Sequence, residues 1–415
     1  MSELLWPDED PIQITKEMFD KFLLWCESIG ANDIYIEPGE ELAVKKDNIV
    51  QIVGRRKIRY DELILILKDV FQSSIDSLLR GGKDVDFNYS VLNDDDDTKI
   101  SYRVNVTPTK PGMTENTGCE VVLRIISNMP PTTDDLGVEP ELISLCKRTQ
   151  GLVLMVGPTG SGKTTLISSF LRRIIETQRK HVLTFEDPIE FDLKAIPNKL
   201  SRIVQCEVYH HIADWPRAVR NSLRRSPDVM LYGELRDSET IKSGLLASET
   251  GHLVFATAHA NGVDSTFSRM VESMMPDEAR GVTAKLIEST QAIIFQKLVR
   301  RRGGGRTALR SYLILTDRMR RTLQTALIKS GEVGPTMSEL LHSHGKTMMS
   351  DAKDKFTQGR IDLEEYLVLI NQNGEPDDAQ IIPDVAQGLF NDGAIDKKEF
   401  DDWLSTYSDM EDIPA

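Results

Sequence analysis

The 415-residue sequence is poor in the features that mark secreted and membrane proteins. Its four cysteines lie far apart, with neither a CxxC pair nor the spacing of metal ligands, which argues against a disulfide framework or a zinc site. No apolar run approaches the roughly 20 residues that span a bilayer. The acidic start, MSELLWPDED, lacks the basic and apolar regions of a signal peptide. We therefore expect a cytoplasmic protein without a transmembrane segment.

The sequence also has fewer basic than acidic side chains. Fifty lysines and arginines stand against 65 aspartates and glutamates, for a net charge of −15. Phosphate neutralisation supplies most of the affinity for nucleic acid, so we expect no stable nucleic-acid binding, although a local basic channel is compatible with this balance. The acidic run Asp94–Asp97 lies between two strand-like runs and is predicted to be a solvated hairpin tip. The alternative, a calcium loop, needs spaced ligands and a turn glycine.

Hydrophobic periodicity divides the chain into three predicted parts. Residues 1–135 combine an amphipathic helix pattern at Met18–Ile29 with short alternating runs, which predicts a small α+β domain. A proline-rich linker is predicted at 128–140. Residues 136–320 alternate apolar strands with helical stretches, the pattern of an α/β domain with a mostly parallel sheet. Residues 321–415 are predicted to form a helical C-terminal region with an acidic tail.

The C-terminal region contains a short internal repeat. FTQGRIDLEEY (356–366) and FNDGAIDKKEF (390–400) share the pattern F-x-x-G-x-I-D-x-x-E-aromatic. Each copy predicts a helix that ends at glycine, followed by a helix capped by Asp362 or Asp396. Two copies therefore predict a pair of helical hairpins. Upstream, RRRGGGR (300–306) is predicted to be a flexible basic loop in the last hairpin of the α/β domain.

The stretch GLVLMVGPTGSGKTTLISSF (151–170) predicts a strand, a glycine loop and a helix. It matches the phosphate-loop pattern GxxxxGK[ST], in which glycines let backbone N–H groups curl around phosphates at a helix N-terminus. Lys163 is then expected to reach the β- and γ-phosphates of ATP, and Thr164 to ligate magnesium. The alternative is a glycine turn with a surface lysine, which the flanking strand and helix disfavour. The predicted nucleotide-binding residues are Gly157, Pro158, Thr159, Gly160, Ser161, Gly162, Lys163, Thr164 and Thr165.

A phosphate-loop ATPase also needs carboxylates for magnesium and for the attacking water. The first candidate cluster is FEDPIEF (185–191), which follows an apolar run. Glu186 is predicted to be catalytic and to ligate magnesium, and Asp187 is expected to orient it. Pro188 should force the chain out of the strand. Glu190 is the weakest candidate of the three carboxylates.

Two further strand-like runs end in polar side chains. SPDVMLYGELRD (226–237) delivers Glu234, a predicted catalytic residue and magnesium ligand, beside the phosphate loop. TGHLVFATAHA (250–260) delivers His259, which is predicted to contact the γ-phosphate, whereas His252 is expected only to cap and pack. The carboxyl ends of parallel strands meet at one edge of a sheet, so these groups should gather there around Mg-ATP.

The order GPTGSGKTT, FEDPIEF, SPDVMLYGELRDSETI and ETGHLVFATAHA resembles the ATPases of type II and type IV secretion machines. These stretches correspond to that family's Walker A, Asp box, Walker B and His box. The resemblance extends from GANDIYIEPG through DVDFNYS and SYRVNV to QAIIFQKLVRR. It implies a RecA-like ATPase domain after a PAS-like N-terminal domain, assembled as a homo-hexamer that hydrolyses Mg-ATP.

Within that family, the sequence resembles most closely the PilT-like retraction ATPases and the DotB/TraJ branch of type IV secretion and conjugation. It lacks the tetracysteine module of the assembly branch and PilT's AIRNLIRE motif, whose region reads DRMRRTLQTALIKS. Tyr35 stands where the family usually has histidine. These departures favour a secretion or conjugative DNA-transfer ATPase, peripherally associated with an inner-membrane complex. A pilus retraction motor is the alternative.

The resemblance also assigns roles to two arginines of the N-terminal domain. Arg103 in SYRVN and Arg124 in VVLRII match the family's arginine fingers, which reach the triphosphate. The alternative is that both residues only decorate strands. Two other functions compete with a mechanochemical ATPase: a direct nucleic-acid translocase, which the acidic balance disfavours, and a scaffold that binds nucleotide without hydrolysis, which Lys163, Glu186 and Glu234 argue against.

Overall fold

A computed structural model of the chain forms two compact units. The first comprises Met1–Met129 and Glu190–Ala195, and the second comprises Pro130–Ile189 and Ile196–Ala415. The structure describes residues 5–7, 12–46, 49–71, 75–93, 98–110, 118–126, 129–209, 211–373 and 376–411. The predicted division into 1–135, 136–320 and 321–415 stays a prediction.

The first unit contains an antiparallel sheet of order β3-β2-β1-β6-β5-β4 and three helices among its described residues. The strands are β1 Asp33–Ile36, β2 Glu41–Lys46, β3 Ile49–Lys57, β4 Val85–Asn93, β5 Thr98–Thr109 and β6 Gly118–Ile126. The helices are α1 Lys16–Ser28, α2 Tyr60–Phe71 and α3 Ile75–Arg80. This architecture confirms the predicted small α+β domain.

Helix α1 forms because its sequence carries both a cap and an apolar face. The Thr15 side chain accepts a hydrogen bond from the Met18 N–H group at 3.3 Å. Phe22 and Leu23 on the inner face are buried against the sheet core. Strands β4 and β5 pair up to Asn93 and Thr98, which supports the predicted hairpin. Its acidic tip, residues 94–97, lies outside the described residues.

The second unit is built on a sheet of order β13-β12-β7-β11-β10-β8-β9. All neighbouring strands are parallel except β12 and β13, which form an antiparallel hairpin. The strands are β7 Gly151–Val156, β8 His181–Glu186, β9 Arg202–Glu207, β10 Val229–Tyr232, β11 Leu253–Ala258, β12 Thr290–Arg300 and β13 Arg306–Ile314. The expected mostly parallel sheet is therefore confirmed.

Helices cover this sheet and continue beyond it. Those before β12 are α4 Pro140–Ser144, α5 Lys163–Thr177, α6 Trp215–Ser222, α7 Ser238–Glu249, α8 Thr266–Val271 and α9 Pro276–Ser289. Those after β13 are α10 Asp317–Ser330, α11 Gly334–His344, α12 Met348–Thr357, α13 Leu363–Asn373, α14 Ile382–Asn391 and α15 Lys397–Glu411. Because helices lie on the sheet, β7, β10 and β11 are buried along their whole length and consist of continuous apolar runs.

The predicted linker is held firmly to the second unit from Pro130 onward. The Pro130 carbonyl accepts a hydrogen bond from Arg172 at 2.6 Å, and the Thr133 hydroxyl accepts one from Arg173 at 3.2 Å. Both arginines belong to α5, the helix that follows the glycine loop. The segment therefore has fixed partners rather than the freedom of a solvated linker.

The internal repeat of the C-terminal region folds as two similar helix–glycine–helix turns. Gly359 and Gly393 end the first helices with φ of 66° and 69°, values that favour glycine. The first and last residues of each copy stack on one another, with ring centroids 4.3 Å apart for Phe356 and Tyr366 and 5.0 Å for the equivalent pair of the second copy. The predicted pair of helical hairpins is confirmed.

The basic loop between β12 and β13 contacts both of these hairpins through Arg302. Its guanidinium lies 3.3 Å from the Asp362 carboxylate and 3.0 Å from that of Glu399, and it also donates to the Ala394 carbonyl at 2.8 Å. The loop was predicted to be flexible, but Arg302 is anchored because it finds acceptors on both copies of the repeat.

No helix in the described part of the chain is long and apolar enough to cross a membrane. The four cysteines all lie within that part and form no disulfide. Three of them are buried, and burial raises the pKa of the Cys26 thiol, as expected of a cysteine that packs in a core.

Candidate functional site

The glycine loop joins β7 to α5 and cannot carry side chains at several positions. Gly157, Gly160 and Gly162 have φ of 143°, 75° and 79°, a region that favours glycine. A Cβ on Gly157 would clash with the backbone carbonyl oxygen of Gln296 on β12. The loop therefore has the close backbone approach and the helix N-terminus that a phosphate cradle requires.

Lys163, the first residue of α5, reaches back over this loop. Its Nζ donates to the carbonyl oxygens of Gly157 at 2.8 Å and Pro158 at 2.9 Å. Thr164 and Thr165 follow in the first helical turn and are half-buried. The predicted nucleotide-binding residues thus form one continuous strand–loop–helix segment.

The other predicted groups lie at the edge of the sheet where the loop begins. Parallel register pairs Val156 with Ala258 and Tyr232 with Phe185, so β7, β11, β10 and β8 end together. His259, Glu234 and Glu186 stand at or just beyond those ends. Strand β11 separates β7 from β10, so Glu234 shares the edge with the loop at one strand's distance rather than directly beside it.

Glu234 and His259 are neighbours at this edge. The His259 Nε2 atom lies 3.4 Å from the Glu234 Oε1 atom. Glu234 sits in a segment docked onto β11, because the Leu235 N–H group donates to the Thr257 carbonyl at 2.8 Å and the Thr257 hydroxyl donates to the Gly233 carbonyl. Both side chains remain partly exposed, as groups that contact a ligand must be.

Glu186 is the last residue of β8 and is buried, with only 4% of its surface exposed. Its Oε1 accepts hydrogen bonds from the Thr184 hydroxyl at 2.5 Å and the Gln205 amide at 3.2 Å. Two donors compensate for the loss of water around the carboxylate and fix its orientation. The strand ends at Glu186, so the chain leaves it at the proline as predicted, and the Asp187–Pro188 peptide bond is cis.

Glu190 falls in a different compact unit from Glu186. It belongs to the segment 190–195 that groups with the first unit, whereas Glu186 and Asp187 belong to the second. The gathering of all three carboxylates of FEDPIEF at one magnesium site stays a prediction. The apolar run and proline are local signals for the strand end, but nothing local shows that the chain changes unit after Ile189.

Arg103 and Arg124 are direct cross-strand partners on β5 and β6. Two like charges in register repel, and the Asp33 carboxylate on β1 offsets this by accepting from the Arg124 Nε at 2.7 Å. The hydrogen bond to Asp33 raises the pKa of Arg124, with a further contribution from the charge of Glu190. Arg124 thus remains cationic with most of its side chain exposed.

His252 lies at the opposite edge of the sheet, immediately before β11. Its Nδ1 is 3.0 Å from the Ala247 carbonyl oxygen and 3.1 Å from the Thr250 hydroxyl. These contacts cap the C-terminal end of α7, in agreement with the expected capping and packing role.

Sequence reasoning missed several polar groups near this edge. Glu207 ends β9 in register with Glu186, and Gln205 holds the Glu186 carboxylate. The run RIVQCE (202–207) is a strand pattern ending in a carboxylate, the same signal that identified Glu186, so Glu207 could have been found. The role of Gln205 depends on strand pairing, which no local pattern shows.

Magnesium fits these protein oxygens when substrate phosphates and water complete its coordination. Among the described residues, no group of three or more histidine, cysteine, aspartate or glutamate side chains could hold a metal ion. Magnesium in nucleotide sites usually takes one or two protein oxygens, substrate phosphates and water. Thr164, Glu186 and Glu234 are suited to that role by chemistry.

A cleft of about 440 Å³ opens beside the loop, a size typical of small-molecule sites. Gly162 and Thr165 form part of its wall, and Leu298 contributes an apolar surface. Its other lining residues include Asp134, Asp135, Arg301, Arg306 and Arg360. Two of the predicted nucleotide-binding residues therefore line the cleft, whereas Lys163, Glu186, Glu234 and His259 do not.

The chain belongs to the type II/IV secretion system protein family, whose sequence profile it matches over residues 12–374. It is 32% identical to the type IV pilus retraction ATPase PilT of Pseudomonas aeruginosa over 295 residues, which cover 71% of this chain and 82% of that protein. The family assignment and the ATPase fold expected from the four sequence boxes are thereby confirmed.

Solved structures agree with this assignment. The ATPase DotB of Legionella pneumophila is similar with a TM-score of 0.79 and 33% identity, covering 90% of this chain and all of that one. The pilus retraction motor PilT with bound ADP is similar with a TM-score of 0.72 and 30% identity, covering 86% and 97% of the two chains.

The two glutamates of FEDPIEF offer a matched pair of substitutions. Glu186→Gln should lower the steady-state ATPase rate severely, because it removes the buried charge at the strand end without changing the size of the side chain. Glu190→Gln should do much less. Thermal melts of both variants should match the wild-type melt to within a few degrees. Equal ATPase rates for Glu186→Gln and wild type would show that this stretch is an ordinary acidic turn with no catalytic role.

Proposed function

We propose that this protein hydrolyses Mg-ATP at the carboxyl edge of its parallel sheet and uses the energy to power a type IV secretion or conjugative DNA-transfer apparatus. The observation that carries the proposal is the convergence of the glycine loop, Glu186, Glu234 and His259 at that single edge. Magnesium, when bound, would neutralise phosphate charge and orient the oxygens that react.

Each residue has a role in this proposal that follows from its chemistry. The loop N–H groups and Lys163 bind the β- and γ-phosphates, and the Thr164 hydroxyl holds magnesium. Glu234 accepts the proton of the attacking water, and His259, 3.4 Å away, contacts the γ-phosphate and aligns that carboxylate. Glu186 contributes a second, more deeply held negative charge to the magnesium site.

Arg103 and Arg124 are proposed to act toward the triphosphate as arginine fingers. Such residues stabilise negative charge that develops in phosphoryl transfer. The exposed Arg124 side chain, already oriented by Asp33, supports this role over a purely decorative one. The active form is proposed to be a homo-hexamer in the cytoplasm, bound peripherally to inner-membrane components of the machine.

The similarity to DotB supports secretion or conjugation, whereas the similarity to PilT supports pilus retraction as a second candidate. Loss of DNA transfer or protein secretion in a deletion strain, with intact pilus retraction, is expected under the first proposal. The opposite phenotype would favour the second. A direct nucleic-acid translocase would instead show DNA-stimulated ATPase activity with steep salt dependence.

Purified protein provides the basic test. It should release phosphate from ATP only with magnesium present, and chelation with EDTA should abolish turnover. With Mg-ATP its mass should approach six times the 46.7 kDa of one chain. A protein that binds ATP yet shows no turnover under these conditions would be the scaffold alternative.

A further inference from the structure

Gln296, which plays no part in the proposed chemistry, is held directly against the glycine loop. Strand β12 pairs with β7 as far as Phe295 and Val156. The next residue of β12, Gln296, places its backbone carbonyl against Gly157, the first residue after β7. Gln296 is buried, with 4% of its surface exposed. Its side-chain amide donates to the Ser161 carbonyl oxygen at 2.7 Å. Gln296 therefore contacts the loop at two places: its backbone lies against Gly157, and its side-chain amide binds the Ser161 carbonyl.

This hydrogen bond determines where a loop N–H group points. The Ser161 carbonyl and the Gly162 N–H belong to one planar trans peptide, in which the two groups point in opposite directions. Holding the carbonyl toward β12 directs the Gly162 N–H away from β12, into the loop. Glycine has more backbone conformational freedom than any other residue, and Gly162 adopts a φ of 79°. The hydrogen bond from Gln296 to the preceding carbonyl restricts that freedom and keeps the Gly162 N–H in one orientation.

Arg310 in turn fixes the orientation of the Gln296 amide. The two residues are cross-strand partners in the β12–β13 hairpin, and Arg310 Nε donates to Gln296 Oε1 at 3.0 Å. Guanidinium is only a donor, so it selects the amide oxygen and leaves the NH₂ group to face Ser161. Arg310 is almost fully buried, with 1% of its surface exposed, so this pairing is shielded from water.

The remaining donors of Arg310 hold the segment 136–139, which leads into α4 within the second unit. Its terminal nitrogens donate to the Leu136 carbonyl at 3.1 Å and the Gly137 carbonyl at 3.2 Å, and one of them lies 3.1 Å from the Glu139 carboxylate. The Arg310 backbone N–H also donates to Asp351 on α12 at 2.8 Å. The buried Arg310 side chain therefore contacts both the segment 136–139 and Gln296, the residue that contacts the loop.

We propose that Gln296 is a positioning residue that preorganises the phosphate loop, and that Arg310 orients it and couples the loop to the segment 136–139. This inference rests on the proposed function, since it assumes that the loop binds the phosphates of ATP. Preorganised donors bind phosphate without the cost of ordering the loop at each turnover. A change at the loop is also transmitted to the segment 136–139 through the side chains of Gln296 and Arg310.

The test uses Gln296→Leu in the full-length chain, which keeps much of the side-chain volume but removes the donor to Ser161. The KM for ATP should rise about 10- to 100-fold, the effect of losing one buried hydrogen bond to a group that must stay oriented, while kcat falls much less. Hydrogen exchange at residues 157–163 should be faster than in wild type. Lys297→Gln, one residue along on β12, is the matched control and should leave both quantities unchanged.

Arg310→Lys tests the second half of the proposal. Lysine keeps the charge beside Glu139 but cannot donate to Gln296 and to both carbonyls at once. KM should rise by a smaller factor, and exchange at residues 136–139 should increase and no longer respond to ATP. The double variant should have a KM no higher than Gln296→Leu alone, because both changes act through one amide.

The outcomes separate this inference from the proposed function. Wild-type protein that fails to bind ATP overturns the proposed function and with it the inference. Wild-type protein that binds and hydrolyses ATP, with an unchanged KM in Gln296→Leu, overturns the inference alone. A lower melting temperature with unchanged KM and loop exchange would show a purely structural role and would also overturn it.

Discussion

Lys163→Ala is expected to lose nearly all ATP hydrolysis, by roughly 10³-fold or more, the scale of removing a key electrostatic contact in a phosphoryl-transfer site. Lys163 is the basic residue of GPTGSGKTT, and its ammonium donates hydrogen bonds to the Gly157 and Pro158 carbonyl oxygens. Alanine removes both that bracing and the positive charge at the β- and γ-phosphates. Transport should fail with hydrolysis.

Steady-state phosphate release with Mg-ATP measures this effect directly. Lys147→Ala is a suitable control, because Lys147 is an exposed lysine of the same unit that precedes β7. The control should keep the wild-type rate. A Lys163→Ala enzyme with a near-normal rate would exclude this loop as the hydrolytic site.

Glu234→Gln is expected to keep ATP binding while turnover falls by roughly 10²–10⁴, the usual contribution of a positioned base. The substitution leaves the segment docked on β11, since that contact is made by the Leu235 N–H and the Thr257 hydroxyl rather than by the carboxylate. Fold and phosphate binding should therefore survive. The loss should be confined to the step in which water loses its proton.

Nucleotide affinity and turnover must be measured together to separate this role from a structural one. Glu239→Gln, an exposed glutamate in the first turn of α7, is the matched control and should be silent. If Glu234→Gln lost both ATP affinity and the folded state, the residue would be structural and its assignment as base would be wrong.

Much of the fold followed from local signals. The glycine loop was predictable because its spacing is fixed by the phosphate geometry it serves, and the strands around it because runs such as Leu152–Val156 are apolar throughout. The common edge for Glu186, Glu234 and His259 followed from one rule, that parallel strands end together. None of these inferences needed the actual order of the strands.

The remaining features depend on tertiary pairing. The insertion of β11 between β7 and β10 moves Glu234 one strand from the loop, and the sequence carries no record of that order. The assignment of Glu190 and Glu186 to different units depends on where the chain changes unit. Gln296 and Arg310 are an amide and a cation in separate strands, and only the hairpin register shows that they meet.

The most direct test of the proposed hydrolysis is a single-turnover experiment with wild type and Glu234→Gln in excess over radiolabelled ATP. Bound nucleotide is separated after rapid acid quenching. Wild type should convert bound ATP to ADP within its turnover time, while Glu234→Gln should retain intact ATP with magnesium over the same period. Equal conversion by both proteins would contradict a catalytic carboxylate at this sheet edge.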